Sequence, residues 1–493
     1  METVTDQLLF INLDQMEETH NVALHVCAAE KHPDNPVLPL GDIGEWDSGQ
    51  AGPWQSRSVL YDEEEQLFKA WYSGTDITLK PGWSTGYAFS EDGIHWIKPK
   101  LGLVDHNGST DNNLVLRGVG PVVKDDDEAD AQRRYKMIVK GPTGAHGIRA
   151  AYSPDGIQWR EGAAVDLDVW READGSQSID LTRPSDVVAL VLDREAAPAR
   201  RFTMIWQAYA NADKPGPELA RTKCIGFGAD VENFRANPDN PILHPNDGLE
   251  QENHFLMLAR QAGWHLLLYE YGWYMPDGTG KFGRYSGDIR LAASSDGQRF
   301  ARVQPHQKVI ERGPRGAWDS QFIVIADKPI VKEGRVLLYY AGSGEEWSSW
   351  PTFGNRPETA SLPNTGCLRP FRMGLATLRV DGFTCMETTD RETPGFFTTA
   401  PLESTGGRLS VNVGSVQPGR SWVEVEVLDP ATGAPFPGFS RAETEPVARD
   451  SVEVAVHWRD KGGGDLPAGS IQLRFHLCGA ARLYSCRIRD ARS

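Results

Sequence analysis

Five times along this chain a run of alternating apolar residues ends in a tight aspartate turn followed by an aromatic side chain. The copies are Ser90-Glu91-Asp92-Gly93-Ile94-His95-Trp96, Ser153-Pro154-Asp155-Gly156-Ile157-Gln158-Trp159, Asp230-Val231-Glu232-Asn233-Phe234, Ser295-Asp296-Gly297-Gln298-Arg299-Phe300 and Val380-Asp381-Gly382-Phe383. They recur at intervals of roughly 60 to 85 residues, longer than a solenoid repeat, and so point to blades of a propeller. Five copies restrict the fold to a five-bladed ring.

Each repeat carries more than its turn. The first has Ser58-Val59-Leu60-Tyr61, then Leu67 to Tyr72, then Gly86 to Phe89 before the Asp92-Gly93 turn, with a fourth strand expected near Trp96. The later units read alike: Pro121 to Val123, Tyr135 to Val139 and Ile148 to Tyr152; Val187 to Leu192, Phe202 to Trp206 and Cys224 to Phe227; Phe255 to Leu258, Leu266 to Tyr269 and Ile289 to Ala292; Phe322 to Ile325, Val336 to Tyr340 and Met373 to Ala376. Period-2 alternation with β-branched and aromatic content marks strands, and four antiparallel strands per unit is the propeller pattern. After about Thr398 the period stops. New alternating runs at Arg408 to Val413, Trp422 to Val427, Ser451 to Val456 and Ile471 to Phe475 read as a β-sandwich. The chain is therefore expected to be all-β: an N-terminal strand and lead-in over 1–45, a five-bladed β-propeller over 46–397 and a C-terminal β-sandwich over 398–493.

Composition excludes several function classes. A formal net charge of −17 opposes binding to nucleic acid phosphates or to an anionic membrane surface. No apolar stretch reaches the roughly 20 residues of a spanning helix. The first 18 residues lack a basic segment and a cleavage site, so a cytoplasmic protein is expected. The six cysteines, Cys27, Cys224, Cys367, Cys385, Cys478 and Cys486, lack metal-ligand spacing and read as reduced thiols. Cys478 and Cys486 flank a short turn, either as two separate strand thiols or facing each other. The acidic runs Glu63-Glu64-Glu65 and Asp125-Asp126-Asp127-Glu128 fall between first and second strands and read as solvated hairpin turns rather than metal sites. No cofactor and no metal are expected. A homo-oligomer is compatible with the sequence.

In a propeller the first strand of every blade lines the axis, and loops at one mouth converge. Carboxylates stand before four of the five first strands: Asp47 in Trp46-Asp47-Ser48, Asp186 after Arg183-Pro184-Ser185, Glu250 and Glu252 before Asn253-His254, and Asp319 in Trp318-Asp319-Ser320. The second unit has Gly118-Val119-Gly120 instead. Loops after the second strands add Asp76, His146, Glu270, Glu345 and Glu346, with Trp273, Tyr274, Trp347 and Trp350. Carboxylates beside exposed aromatics suit a small carbohydrate. Glycosidic cleavage needs two carboxyl groups, about 5–5.5 Å apart for retention and ~6.5–9.5 Å for inversion. Asp186 and Glu252 precede strongly apolar strands, where burial of a charge demands a partner. They are the leading catalytic pair, with Asp319 and Asp47 as supporting carboxylates whose shared Trp-Asp-Ser context equally suits a structural turn. Arg183, His254, Glu270, Trp273, Glu346 and Trp347 are the candidate substrate-binding residues. His146 and His254 read as hydrogen-bonded polar residues rather than metal ligands.

Leu8-Leu9-Phe10-Ile11-Asn12-Leu13-Asp14, Asn35-Pro36-Val37-Leu38, Lys69-Ala70-Trp71-Tyr72-Ser73-Gly74, Gly316-Ala317-Trp318-Asp319-Ser320, Pro437-Gly438-Phe439-Ser440 and Arg482-Leu483-Tyr484-Ser485 resemble uncharacterised bacterial proteins grouped near glycoside hydrolase family 32. The resemblance implies the five-bladed superfamily of families 32, 43 and 68, often with a C-terminal sandwich, whose members cleave or transfer fructosyl, arabinosyl, xylosyl or related residues with an Asp, Asp, Glu set on successive early blades. The chain departs from that set: its second unit has no acid in place, and neither an Arg-Asp-Pro nor a Glu-Cys-Pro signature is present. The expected activity is a glycoside hydrolase or transglycosidase acting on a small glycoside such as a fructoside or arabinoside. A glycoside phosphorylase, with Arg57, Arg149, Arg183 and Arg290 as phosphate ligands, and a non-catalytic carbohydrate-binding protein are the alternatives.

Overall fold

The computed structural model describes residues 7–76, 83–140, 147–168, 186–210, 220–245, 250–274, 284–344, 347–348, 371–459 and 465–489. Among them the chain is all-β: apart from three single-turn 3-10 helices, its regular elements are strands. No helix is long and apolar enough to cross a membrane.

Five antiparallel units follow one another, termed sheets I to V. Sheet I joins Gln50–Asp62, Leu67–Thr75, Ser84–Ser90 and Leu114–Arg117; sheet II joins Val122–Lys124, Tyr135–Lys140, Ile148–Ser153 and Arg160–Ala164. Sheet III joins Asp186–Leu192, Phe202–Ala210, Ala220–Gly228 and Asn233–Ala236, with Asp166–Asp168 added in parallel at its outer edge. Sheet IV joins Leu256–Gln261, Trp264–Tyr274, Arg284–Ser294 and Ala301–Val303. Single parallel pairs, Gly287 with Phe322 and Arg372 with Ala51, link sheet IV to V and V to I. The first strands lie against one another in cyclic order, I to II to III to IV to V and back to I.

Two expectations change here. The outer strand of sheet I is Leu114–Arg117; Ile97, beside Trp96, makes only an isolated bridge to Phe89. Sheet V has Phe322–Ile325, Arg335–Ser343 and Arg372–Arg379, but its outer strand is Glu30–Lys31 from the start of the chain. The chain leaves this sheet at the Asp381 turn and enters a different one.

That second body has two sheets. Sheet VI runs Val22–Val26, Thr384–Thr388, Arg482–Arg489, Arg408–Gly414 and Ser451–Ala455, with Gln7–Leu9 beside Arg482–Arg489. Sheet VII contains Met16–His20, Gly395–Thr399, Ala468–Cys478, Leu402–Thr405 and Trp422–Leu428. Residues 7–26, read from sequence as part of a lead-in, thus pair with strands from the last 110 or so residues. Alternation explains the pairing. In Trp422–Leu428 the valines are buried and the glutamates are half-buried, so one face packs inward. Phe10, Phe397 and Phe475 form the aromatic centre, with ring centroids 5.1–5.7 Å apart.

The aspartate turns share one chemistry. In three copies a serine hydroxyl and an aspartate carboxylate cap the turn: Ser90 with Asp92, Ser153 with Asp155 and Ser294 with Asp296. Gly93, Gly156 and Gly297 take positive φ, which glycine adopts without steric cost. Two of these turns also tie neighbouring sheets. Trp71 of sheet I donates its indole N–H to the Gly156 carbonyl at 2.6 Å, and Tyr339 of sheet V donates its hydroxyl to the Gly93 carbonyl at 2.9 Å.

Candidate functional site

The strand Gln50–Asp62 carries a bulge between Gly52 and Arg57. Pairing stops there, and Trp54 turns into the space enclosed by the first strands. It packs on Phe255 at 4.6 Å, Phe371 at 4.7 Å and Phe322 at 5.7 Å between ring centroids.

Past the bulge, Arg57 is buried with its guanidinium 4.6 Å from the Phe255 ring centroid. Its Nη2 donates to the Leu256 carbonyl at 3.4 Å, while Nε and Nη1 have no hydrogen-bond partner among the described residues. Burial pulls the guanidinium down to about 9, and the carboxylates of Asp327, Asp186 and Glu270 oppose that shift. It stays protonated at neutral pH. Asp327 accepts from Ser58 Oγ at 2.7 Å, and burial raises its carboxyl above the usual range.

Asp186 opens the first strand of sheet III. Its Oδ1 accepts from Lys140 Nζ at 2.9 Å and its Oδ2 from Gln207 Nε2 at 3.4 Å. Gln207 Oε1 in turn accepts from Lys223 Nζ at 3.2 Å, and Lys223 also donates to the Asn253 backbone carbonyl. This chain runs from sheet II through sheet III to the segment that leads into sheet IV. In that segment Glu252 and His254 are buried. Glu252 exchanges backbone hydrogen bonds with Gly272, and His254 Nδ1 lies 3.5 Å from Glu270 Oε2. A Cβ on Gly287 would stand 2.8 Å from Glu270 Oε1, so glycine there makes room for the carboxylate. Trp273 is partly exposed, with the Arg312 guanidinium 4.9 Å from its ring centroid.

Asp47 and Asp319 occupy matched settings of another kind. Asp47 accepts from Tyr72 at 2.8 Å and from Lys98 at 2.6 Å, while Trp46 packs on Tyr72. Asp319 accepts from Tyr340 at 2.9 Å and from Lys31 at 2.5 Å, and Trp318 stacks on Tyr340. Glu250 repeats the device in sheet IV, held by both Arg302 nitrogens at 2.6 Å. Asp47, Asp319 and Glu250 are each clamped by a cation from an outer segment. The repeated Trp-Asp-Ser reflects this brace, and both carboxylates already have protein partners.

Arg183 and Glu346 lie outside the described residues, as do His146 and Glu345. Trp347 forms a short strand with Ser348 opposite Tyr285 and Arg284. Asp76 pairs with His106 at 2.8 Å. Of the other arginines considered for phosphate, Arg149 is half-exposed beside Glu161, and Arg290 is buried against Asp288 at 2.7 Å. The missing acid of sheet II has a steric cause: a Cβ on Gly120 would fall 1.8 Å from the Ile138 carbonyl oxygen. Sequence reading did not single out Asp327, Lys140, Gln207 or Lys223. A charged residue inside an apolar strand, as in Thr222-Lys223-Cys224-Ile225, was the available signal.

The acidic runs, expected as solvated hairpin turns, take part in ion pairs: Glu64 pairs with Lys124 and Arg134 and Glu65 with Lys69, while Asp125 is buried and takes Lys136 and a bidentate Arg201 from the next sheet. Asp62, just before the first run, accepts from Lys69, Lys124 and Tyr135. Among the described residues no group of three or more His, Cys, Asp or Glu side chains is arranged to hold a metal ion.

No family model matches the chain, and no curated protein does. Solved structures do resemble it. One, from work on the GH130 family of mannoside phosphorylases and its glycoside hydrolases, aligns at 13% identity and TM-score 0.45 over 72% of this chain and 94% of its own. A glycosyl hydrolase from Bacteroides ovatus gives the same identity, TM-score and coverage. A fructofuranosidase from Schwanniomyces occidentalis is 11% identical with TM-score 0.40, over 92% of this chain and 99% of its own.

Proposed function

We propose that sheets I to V are the blades of a five-bladed propeller, that sheets VI and VII form a sandwich, and that the chain is a glycosidase acting on a small glycoside at the mouth carrying Asp186. The cyclic contact of the five first strands supports the ring. The observation that carries the activity is that the carboxylates of Asp186 from sheet III and Glu270 from sheet IV act electrostatically on one buried guanidinium, Arg57, whose Nε and Nη1 have no hydrogen-bond partner among the described residues.

In this reading Asp186 is the base or nucleophile, Glu252 the general acid, and Glu270 with His254 orients the sugar. Trp273 stacks on its apolar face. Asp47 and Asp319 brace their blades. Aryl glycosides and fructosides are the test substrates. Against a hit, Asp186→Asn and Glu252→Gln each lower kcat about 10²–10⁴-fold with unchanged melting; full activity in both variants overturns the assignment.

Arg57 also supports a second reading, a glycoside phosphorylase, because its two donor nitrogens without a hydrogen-bond partner among the described residues, together with Lys140 on Asp186, suit an attacking phosphate. Turnover that requires phosphate and releases a sugar phosphate selects it. Sugar binding with no turnover under either condition selects a non-catalytic carbohydrate-binding protein.

A further inference from the structure

Cys27 and Cys385 are free thiols, Cys385 on the strand Thr384–Thr388 and Cys27 just past the end of its neighbour Val22–Val26. Sheet VI pairs Thr384 with Val26 and Cys385 with His25, and the Cys27 N–H donates to the Phe383 carbonyl at 2.9 Å. Cys27 therefore stands diagonally across from Cys385 on the same face of the strand pair. The two thiols interact with each other. Both line one cavity of about 430 Å³, together with His25, Arg379, Arg482 and Tyr484. Cys27 is half-buried and Cys385 is buried. Cys478 and Cys486, adjacent in sequence, lie in different sheets, VII and VI.

The position has a structural consequence. Cys27 sits where the N-terminal segment crosses from Val22–Val26 in sheet VI to Glu30–Lys31, the outer strand of sheet V. Lys31 is the partner of Asp319. A covalent link at Cys27 pins this crossing to the strand that follows the Asp381 turn.

We propose that Cys27 and Cys385 form a redox-active dithiol that closes to a disulfide with hydrogen peroxide as oxidant. The more accessible Cys27 thiolate attacks peroxide; the O–O bond breaks, a sulfenic acid forms at Cys27 and hydroxide leaves as water after taking a proton. The Cys385 sulfur then attacks the Cys27 sulfur, the S–S bond forms, the S–O bond breaks and a second water leaves. Two thiols lose two electrons and two protons, and one peroxide is reduced to two waters. The Cys27 thiol and burial push the Cys385 thiol up, and the Arg482 guanidinium opposes that shift.

The test treats the full chain with stoichiometric peroxide and maps its peptides without reductant. The expected product is a Cys27–Cys385 cross-linked peptide two hydrogens lighter than the separate thiols. It is absent in Cys27→Ser and in Cys385→Ser, and retained in Cys478→Ser. The oxidised protein is expected to melt several degrees higher than the dithiothreitol-reduced protein, a shift missing in Cys27→Ser. Peroxide-treated protein in which both thiols stay free, or in which Cys27 ends as sulfinic acid while Cys385 remains a thiol, overturns the proposal. So does a cross-link between any other pair of cysteines in its place.

Discussion

Lys31 and Asp319, 288 residues apart in sequence, form a part-buried ion pair, with the carboxylate as the buried partner, that fastens the first part of the chain to the entry of sheet V. Lys98 does the same for Asp47 in sheet I across 51 residues. Removing one partner of such a pair strands the other charge without water. Lys31→Met is therefore expected to destabilise the fold by about 3–5 kcal/mol in denaturant unfolding. The contrast with Asp186→Asn is the informative part: that variant should lose turnover and keep its unfolding midpoint.

Arg57 offers a different contrast. Arg57→Lys keeps a positive charge near Asp186 and Glu270 but loses the planar group over Phe255. Steady-state kinetics on an active substrate should show kcat/KM reduced by roughly 10–100-fold, equivalent to the loss of a charge-assisted hydrogen bond or two. Wild-type kinetics in this variant would remove Arg57 from the site.

Gly120 has no room for a side chain against the Ile138 carbonyl. Gly120→Ala forces the first strand of sheet II away from its neighbour and should cost about 1–3 kcal/mol, read from the urea midpoint. An unchanged midpoint would mean that sheet II can carry a side chain at this place, and its lack of an acid would need another cause.

Acid stability should report on Asp62. Hydrogen bonds from Lys124, Lys69 and Tyr135 overcome the opposing effect of burial and hold its carboxyl well below the usual range. A depressed acid contributes stability above its unfolded pKa of about 3.9 and loses it as pH falls toward the folded value. Wild-type stability should therefore fall steeply below about pH 4. Asp62→Asn should be less stable at pH 7 and flatter across that acid range, as followed by melting temperature against pH.

Local patterning carried much of the architecture. The alternation in Trp422–Leu428, the Ser-x-Asp-Gly caps and the runs Phe322–Ile325 and Asp186–Leu192 depend on neighbours within a few residues, so strands and turns were legible without a structure. Residues 7–31 were not. Their strand partners lie between Arg372 and Arg489, and nothing in a short window shows which sheet an edge strand will join. The site divided along the same line. The carboxylates before the first strands could be named, but Asp47 and Asp186 look alike until Lys98 and Tyr72 are seen on one, and Lys140 and the charge of Arg57 on the other.

The recurring aspartate turn alone determined the phase of the repeat, because its capping is a matter of three or four consecutive residues. Tertiary structure decided what each repeat does with that phase: Trp71 reaches Gly156 and Tyr339 reaches Gly93 across sheet boundaries, while the last copy, at Asp381, sends the chain out of its sheet. It also decided which acids are spent as braces, since the cation that neutralises a buried carboxylate is chosen by proximity in space, through desolvation and Coulomb attraction, and not by distance along the chain.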